Sequence, residues 1–233
     1  MKIKIVAVIL VITTAFCTAV GMCLRVLNEQ HVSAFFDNMR IVVDAGHGGI
    51  DGGVCGVTSG VKESDINLSL SFILKEELSD IGFEVIMTRK TEAGLYDTTA
   101  RGFKKRDMQR RKEIIEEAKP VLVLSIHQNF YPTKSARGGQ VFYSKKQEGG
   151  LALAEGIQEG LNALYEERKV KPRKVTAAEY FMLECYPCPS VIVECGFLSN
   201  RQDEELLCSS AWQKRLAQEI AGGVLAYFEG NAT

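Results

Sequence analysis

Residues 41–49 read Ile-Val-Val-Asp-Ala-Gly-His-Gly-Gly, a β-branched apolar run followed directly by a glycine-rich turn that carries a histidine. Short apolar runs that do not alternate with polar residues are typical of strands covered on both faces of a parallel sheet. Similar runs occur at residues 121–126 and 191–193, and two further strands are predicted at 84–88 and 140–143. The first stretch therefore predicts a central strand whose carboxyl end carries polar side chains.

Helical periodicity separates these strands. Leucine and isoleucine recur at spacings of three and four over residues 63–81, and the same pattern returns at 151–164 and 216–227. A further helix near 104–117 is charged on all sides, so we predict that it lies in solvent. Strands that alternate with helices predict an α/β fold: a single domain with a mixed, mostly parallel central sheet flanked by helices.

The overall composition is that of an ordinary globular protein. Of the 233 residues, 46% are hydrophobic and 24% are charged, which excludes a disordered chain. The 28 basic and 29 acidic residues give a formal net charge of -1, so no basic field exists to attract nucleic acid. Seven cysteines are too few for a domain built on disulfides.

The amino-terminal segment predicts export. Residues 5–24 carry no charge, and a helix of that length would span ~30 Å at ~1.5 Å per residue, the thickness of a bilayer core. Two lysines precede this run, as in an export signal. We therefore expect a signal peptide or membrane anchor at 1–25, a linker at 26–39 and a globular domain at 40–230. That domain would lie on the outer side of the cytoplasmic membrane, anchored or secreted.

Polar turns follow the three central strands, at residues 44–49, 125–129 and 194–200. The first turn contains His47 and the second contains His127, and these are the two histidines of the globular part. Ligands of open α/β sheets bind beyond the carboxyl ends of the strands. One histidine at a strand end is more often structural than functional, but two on the same predicted edge indicate a site.

Glu63 begins the first predicted helix, shortly after the His47 turn, and could fold back over the same edge. Two imidazoles and one carboxylate are a donor set that catalytic zinc takes, with one position left for water. Zinc lowers the pKa of bound water to roughly 7, and a nearby carboxylate that does not bind the metal could act as base and then as acid. The pattern thus predicts a zinc hydrolase.

Four blocks together resemble the signature of zinc-dependent N-acetylmuramoyl-L-alanine amidases. They are residues 41–49, Lys62-Glu63 with Asn67-Leu68, 125–129 and 193–200, in matching order and spacing. The resemblance covers essentially the whole globular part. It implies a single α/β domain that cuts the amide bond between N-acetylmuramic acid and the L-alanine of the peptidoglycan stem peptide.

Residue by residue, the resemblance implies roles for four side chains. His47, Glu63 and His127 match the zinc ligands of the family, and Glu194 matches its catalytic glutamate, which takes a proton from water and returns it to the leaving amine. Residues 40–230 would then be a zinc amidase catalytic domain. Two alternatives stay open: a metal-binding protein that only binds peptidoglycan, or a protein that has little activity of its own until a protein partner activates it.

A catalytic domain without a wall-binding module, behind an anchor, is similar to the germination-specific (CwlD-type) amidases of spore formers. This resemblance implies a substrate in the spore cortex, where removal of stem peptides allows muramic δ-lactam to form. A location in the forespore intermembrane space would fit this role, and the apolar amino-terminal segment is expected to contact the membrane. A vegetative wall substrate is the alternative.

Several other features are interpreted as structural. We expect Arg89 and Arg111 to form structural ion pairs, Gln128 to fill space rather than touch substrate, and Cys195 to pack in the core. The C-x-x-C motif at 185–188 lacks the second pair that structural zinc needs, so a local disulfide or two free thiols is expected.

Overall fold

A computed structural model of the chain describes residues 38–230, together with Val20 and Phe36. In chain order its elements are β1 (Arg40–Ala45), α1 (Glu63–Ile81), β2 (Glu84–Met87), α2 (Phe103–Ala118), β3 (Leu122–Asn129), β4 (Gln140–Tyr143), α3 (Gly150–Glu166), β5 (Thr176–Ala177), α4 (Phe181–Glu184), β6 (Ser190–Phe197), α5 (Arg201–Leu207) and α6 (Ser210–Gly230). The predicted anchor lies outside the described residues, except for Val20, and the predicted linker lies largely outside them. Within the described part of the chain, no helix is long and apolar enough to cross a membrane.

The six strands form one sheet in the order β2-β1-β3-β6-β4-β5. The pairing of β4 with β6 is antiparallel, and the other pairings are parallel. The predicted α/β domain with a mixed, mostly parallel sheet is therefore confirmed. His127 on β3 is in register with Glu194 on β6, and Glu194 is in register with Gln140 on β4. Because residues in register point to the same face, these three side chains share one face at one edge.

Helices cover the two faces of the sheet unequally. The larger core packs α1, α3 and α6 against one face, through side chains such as Leu74, Ile157 and Ile220, which are fully buried. Burial of one such side chain contributes about 1.5–3 kcal/mol. A smaller core, which includes Ile115 of α2 and Met182 of α4, covers the opposite face. The thinner cover on this second face leaves room for a pocket.

The prediction that the helix near 104–117 lies in solvent is wrong. One side of α2 is buried, and it carries Asp107, Arg111, Ile115 and Ala118. The charges on that side are tolerated because they pair with each other and with Asp44 inside the protein. Periodicity of apolar residues cannot reveal a helix face that is buried through ion pairs.

The cysteines of the described residues are free thiols. Of the two alternatives for the C-x-x-C motif, the structure has the thiols, with Cys188 buried and Cys185 partly buried. Burial raises the pKa of each of these two thiols to about 11, so neither is a ready nucleophile. Cys195 is fully buried in the larger core, which confirms its predicted packing role.

Candidate metal centre

His47 stands in the tight turn that follows β1. Its backbone φ is 60°, a left-handed value that is unusual for a residue with a side chain, and φ is 139° at Gly48 and 64° at Gly49. Such conformations persist where surrounding contacts hold them, and they cluster at functional sites. Here Arg111 Nη2 donates a hydrogen bond of 2.6 Å to the carbonyl of His47.

Three predicted ligands meet at this turn. Glu63 Oε1 lies 2.9 Å from His127 Nδ1 and 3.3 Å from His47 Nε2. One ligand atom from each of the three residues lies within 4.8 Å of the other two, so the group could hold a metal ion. Burial raises the pKa of Glu63, but hydrogen bonds and charges from the two histidines outweigh burial and hold that pKa well below its usual range. Glu63 is therefore an anion at neutral pH.

Glu194 faces the same cluster from the neighbouring strand β6. Its Oε2 atom is buried and has no hydrogen-bond partner among the described residues. Burial raises the pKa of Glu194 to about 7, and the charge of Glu63 adds to this effect. A buried oxygen without a partner leaves hydrogen-bonding capacity for a water molecule or a substrate. The two imidazoles and one carboxylate are a donor set that zinc takes, so the residues fit the metal.

Asp51 is a site residue that the sequence analysis missed. Its Oδ1 atom lies 3.2 Å from His47 Nδ1, on the opposite side of the ring from Glu63. Its Oδ2 atom pairs with Lys104 Nζ at 3.2 Å. A carboxylate in this place can hold a proton on Nδ1 and leave Nε2 free to bind a metal. An aspartate four residues after a histidine in a glycine-rich turn was the available signal.

We predict that Asp51→Asn lowers zinc affinity about tenfold, because outer carboxylates that orient a metal-binding histidine typically contribute 10- to 100-fold. Zinc titration of the metal-stripped protein measures the dissociation constant directly. Asp80→Asn, an exposed change on α1, is the matched control and should leave the constant unchanged. Equal zinc affinity of Asp51→Asn and the unmodified protein would contradict the orienting role.

A buried polar network holds the His47 turn in place. Arg111 Nη1 contacts Asp44 Oδ1 at 2.5 Å and Ala45 O at 2.8 Å, and Arg111 Nε contacts Asp107 Oδ2 at 2.6 Å. The ion-pair prediction for Arg111 is thus confirmed. Burial raises the pKa of Asp44, but Arg111 and two hydroxyl groups outweigh burial and lower the pKa to about 2. Asp44 is therefore charged at neutral pH.

Arg89 differs from the prediction, because it forms no ion pair among the described residues. Its guanidinium instead donates hydrogen bonds to the backbone carbonyls of Ala45 (2.8 Å), Gly46 (3.0 Å) and Ser64 (2.8 Å). These bonds tie the turn after β1 to the first turn of α1, and so connect the segments that carry two of the predicted ligands. Burial lowers the pKa of Arg89 to about 10, and the group stays charged.

Gln128 is buried beside the cluster and makes structural contacts. Its backbone N–H donates to Glu63 Oε1 at 3.1 Å, and its side-chain Nε2 donates to Asn67 Oδ1 at 3.1 Å. Asn67 in turn donates to the carbonyl of Gly46 at 3.1 Å. These contacts agree with the prediction that Gln128 fills space, and the backbone contact helps to hold Glu63 Oε1 beside the two histidines.

Gly46 is required by the close approach of His127. A Cβ atom at Gly46 would lie 2.2 Å from Cε1 of the His127 ring. We predict that Gly46→Ala displaces the ring, lowers the free energy of unfolding by about 1–3 kcal/mol and weakens zinc binding. Urea unfolding and zinc titration measure the two effects. Gly222→Ala is the control, since no atom lies within 4 Å of a Cβ atom there, and it should be neutral or stabilising. A fully stable Gly46→Ala protein with normal zinc binding would contradict the prediction.

The cluster opens into a pocket of about 460 Å³. Its apolar wall consists of Tyr96, Phe103, Met108, Tyr180, Phe181, Met182 and Ile192. Two of these residues, Tyr180 and Phe181, are also half exposed at the pocket mouth. Small-molecule sites typically combine such an apolar wall with a few polar groups that fix orientation. The pocket therefore suits a substrate that presents apolar groups to the wall and a polar bond to the cluster.

Comparisons with known proteins agree with this geometry. A family model described as N-acetylmuramoyl-L-alanine amidase matches residues 41–226. The germination-specific N-acetylmuramoyl-L-alanine amidase of Bacillus subtilis is 31% identical over 191 residues, which cover 81% of this chain and 79% of that protein. AmiA of Escherichia coli, an N-acetylmuramoyl-L-alanine amidase, is 27% identical, with 81% of this chain and 75% of that protein covered.

Solved structures show the same likeness. The CwlD amidase from Clostridioides difficile, solved in complex with the GerS lipoprotein, matches with a TM-score of 0.78 and 34% identity. The match covers 83% of this chain and 100% of that chain. The fold of the described domain is therefore that of a solved amidase chain over its whole length.

Proposed function

Because the chain belongs to the N-acetylmuramoyl-L-alanine amidase family and acts on peptidoglycan, we propose that it does so as a zinc enzyme whose ligands are His47, Glu63 and His127. The observation that carries this proposal is the convergence of one ligand atom from each of these residues within 4.8 Å. Glu194, whose Oε2 atom lacks a partner, lies beside them and is the proposed catalytic residue.

The residues of the site have separate roles in amide hydrolysis. Zinc at this cluster would polarise the scissile carbonyl and lower the pKa of water to roughly 7. Glu194 accepts a proton from the attacking water and passes it to the leaving L-alanine nitrogen. A carboxyl group whose pKa lies near the working pH suits both halves of this transfer. Asp51 and Arg111 position the His47 turn and do not touch the reacting atoms.

Product analysis tests the proposed reaction. The full chain would be incubated with purified peptidoglycan, and the groups released would be identified by mass spectrometry. We expect new amino termini of L-alanine, and we expect their release to stop when a chelator removes the metal. Binding of peptidoglycan without release, by protein loaded with zinc, would favour the alternative of a binding protein or a partner-activated one.

A role in the spore cortex is the finer part of the proposal. It rests on the likeness to the germination-specific amidase of Bacillus subtilis and to the CwlD amidase of Clostridioides difficile. If the role is correct, spores of the source organism that lack this chain will have a cortex depleted in muramic δ-lactam. Unchanged δ-lactam, with altered muropeptides in growing cells, would indicate the vegetative wall instead.

A protein partner is proposed on similar grounds. The related CwlD amidase was solved in complex with the GerS lipoprotein, so we propose that this chain, acting outside the cytoplasm, also works with a protein partner. Full zinc occupancy and full activity of the purified chain alone would contradict a need for activation. Low zinc occupancy that rises when the partner is added would support it.

A further inference from the structure

A basic cleft lies beyond the metal centre at the same edge of the sheet. It is lined by residues 135–137, which follow β3, and by residues 169–173, which lead into β5. We call these two segments the basic cleft. It encloses about 390 Å³ and presents the cations Arg137, Lys169, Lys171 and Arg173. In a chain whose net charge is -1, this local concentration of positive charge favours the binding of an anion.

Most of this charge is not compensated within the described part of the chain. Lys169 and Lys171 are exposed and form no ion pair there. Arg173 donates from Nε to the carbonyl of Arg137 (2.7 Å) and from Nη1 to Gln140 Oε1 (3.3 Å), which are both neutral groups. Burial lowers the pKa of Arg173, and the charge of Asp203 offsets this only in part. An anion in the cleft would supply the missing partner.

Arg137 is the exception, because it pairs with Asp203. The distance from Arg137 Nε to Asp203 Oδ1 is 2.8 Å, and Asp203 Oδ2 accepts hydrogen bonds from the N–H groups of Gly138 and Phe197. These contacts hold Asp203 in the cleft wall, and in the described chain it forms an ion pair with Arg137 but none with Lys169 or Lys171. The Cζ atom of Arg173 also lies over the Phe197 ring, 4.6 Å from its centroid, in a cation–π contact.

The register of the sheet connects the cleft to the metal centre. His127, Glu194 and Gln140 are in register on three neighbouring strands, and Arg173 contacts the side chain of Gln140. His127 and Gln140 are two strand spacings apart, which is ~10 Å. The basic cleft begins beyond Gln140, at the side chain of Arg173. An extended peptide advances ~3.3–3.6 Å per residue, so roughly three to five residues bridge the two places.

We propose that the basic cleft binds the terminal carboxylate of the substrate's stem peptide while the amide bond to be cut lies beside Glu194. This inference rests on the proposed function, and it adds a second point of recognition to it. The planar Arg173 guanidinium suits a carboxylate, and the two lysines add attraction that salt will weaken. The amidase thereby selects stem peptides whose far end carries a free carboxylate.

Peptide binding tests the inference without any need for catalysis. The probes are a synthetic stem tetrapeptide labelled at its amino end, with a free terminal carboxylate, and the same peptide with a terminal amide. Fluorescence anisotropy with the full chain in non-ionic detergent gives the two dissociation constants. We expect the carboxylate form to bind about five- to twentyfold more tightly at low salt, since each exposed charge pair contributes up to about fivefold.

Charge reversal in the cleft provides the decisive variant. Lys169→Glu with Lys171→Glu should abolish the preference for the carboxylate peptide and should raise KM, with kcat unchanged, for substrates that carry a free terminal carboxylate. Lys145→Glu with Lys214→Glu, two exposed lysines elsewhere that form no ion pair in the described chain, is the matched control and should retain the preference. Loss of preference in both double variants would reveal only a general charge effect and would overturn the inference.

Two other outcomes separate this inference from the proposed function. Release of L-alanine termini with equal KM for muropeptide substrates that end in a carboxylate or in an amide would overturn the cleft's role and leave the amidase reaction standing. A preference for the carboxylate peptide in protein that exposes no new L-alanine termini on peptidoglycan would support the cleft and count against the reaction. Binding of anionic lipid vesicles that depends on Lys169 and Lys171, with no peptide preference, would show that the cleft meets a membrane and would overturn the inference.

Discussion

Glu194→Gln will reduce the release of L-alanine termini about 10²- to 10⁴-fold, which is the range over which a positioned general acid–base contributes. The amide of glutamine has nearly the same shape as the carboxylate, so the β6 strand and its register with His127 should be unchanged. The glutamine amide cannot accept and return a proton as the carboxylate does. The change should therefore appear in kcat, with KM for peptidoglycan nearly unaffected.

Zinc content separates loss of chemistry from loss of the metal. Glu194→Gln should retain as much zinc as the unmodified protein, because Glu194 is not among the three clustered ligand candidates. Glu205→Gln, an exposed change on α5, is the matched control and should keep full activity. Substantial activity in a zinc-loaded Glu194→Gln protein would contradict the role assigned to Glu194.

Arg111→Met will lower the free energy of unfolding by about 3–5 kcal/mol, the usual cost when one partner of a buried ion pair is removed. Asp44 is 1% exposed and would lose its charged partner, which leaves Thr88 and Ser125 as its side-chain hydrogen-bond donors among the described residues. The carbonyl of His47 would also lose the hydrogen bond from Arg111. Urea unfolding measures the stability change, and zinc titration should show weaker binding.

The neighbouring residue supplies a close control. Arg110 is on the same helix, but its ion pairs with Glu113 and Glu117 are exposed, so Arg110→Met should change stability by less than about 0.5 kcal/mol. Asp44→Asn combined with Arg111→Met removes both charges of the buried pair and should recover part of the lost stability. If Arg111→Met and Arg110→Met had equal effects, the buried network would not support the turn as described.

The sequence predicts the parts of the fold that depend on patterns among residues close together in the chain. Helix α1 occupies the predicted range 63–81, because its apolar residues repeat over five turns and a glycine follows. The central strands were recognisable because they are buried on both faces and rich in β-branched residues. The elements that the sequence analysis did not identify, β5, α4 and α5, have two, four and seven residues and are too short to show a period.

The supporting residues of the site depend on contacts between distant segments. The buried face of α2 was missed because Arg111 pairs with Asp44, which is 67 positions away. Asp51 was missed because its contact with His47 depends on the conformation of the turn. The basic cleft exists only because two loops meet at the end of the sheet. Such contacts follow from strand order and register, which a single sequence does not display.

Stepwise zinc loading of the metal-stripped protein tests the central claim most directly. At each step, bound zinc per chain and the rate at which new L-alanine amino termini form on peptidoglycan would be measured on the same sample. The account predicts that the rate rises in proportion to bound zinc and reaches its maximum at about one zinc per chain. Full activity in protein that contains almost no metal would contradict the account.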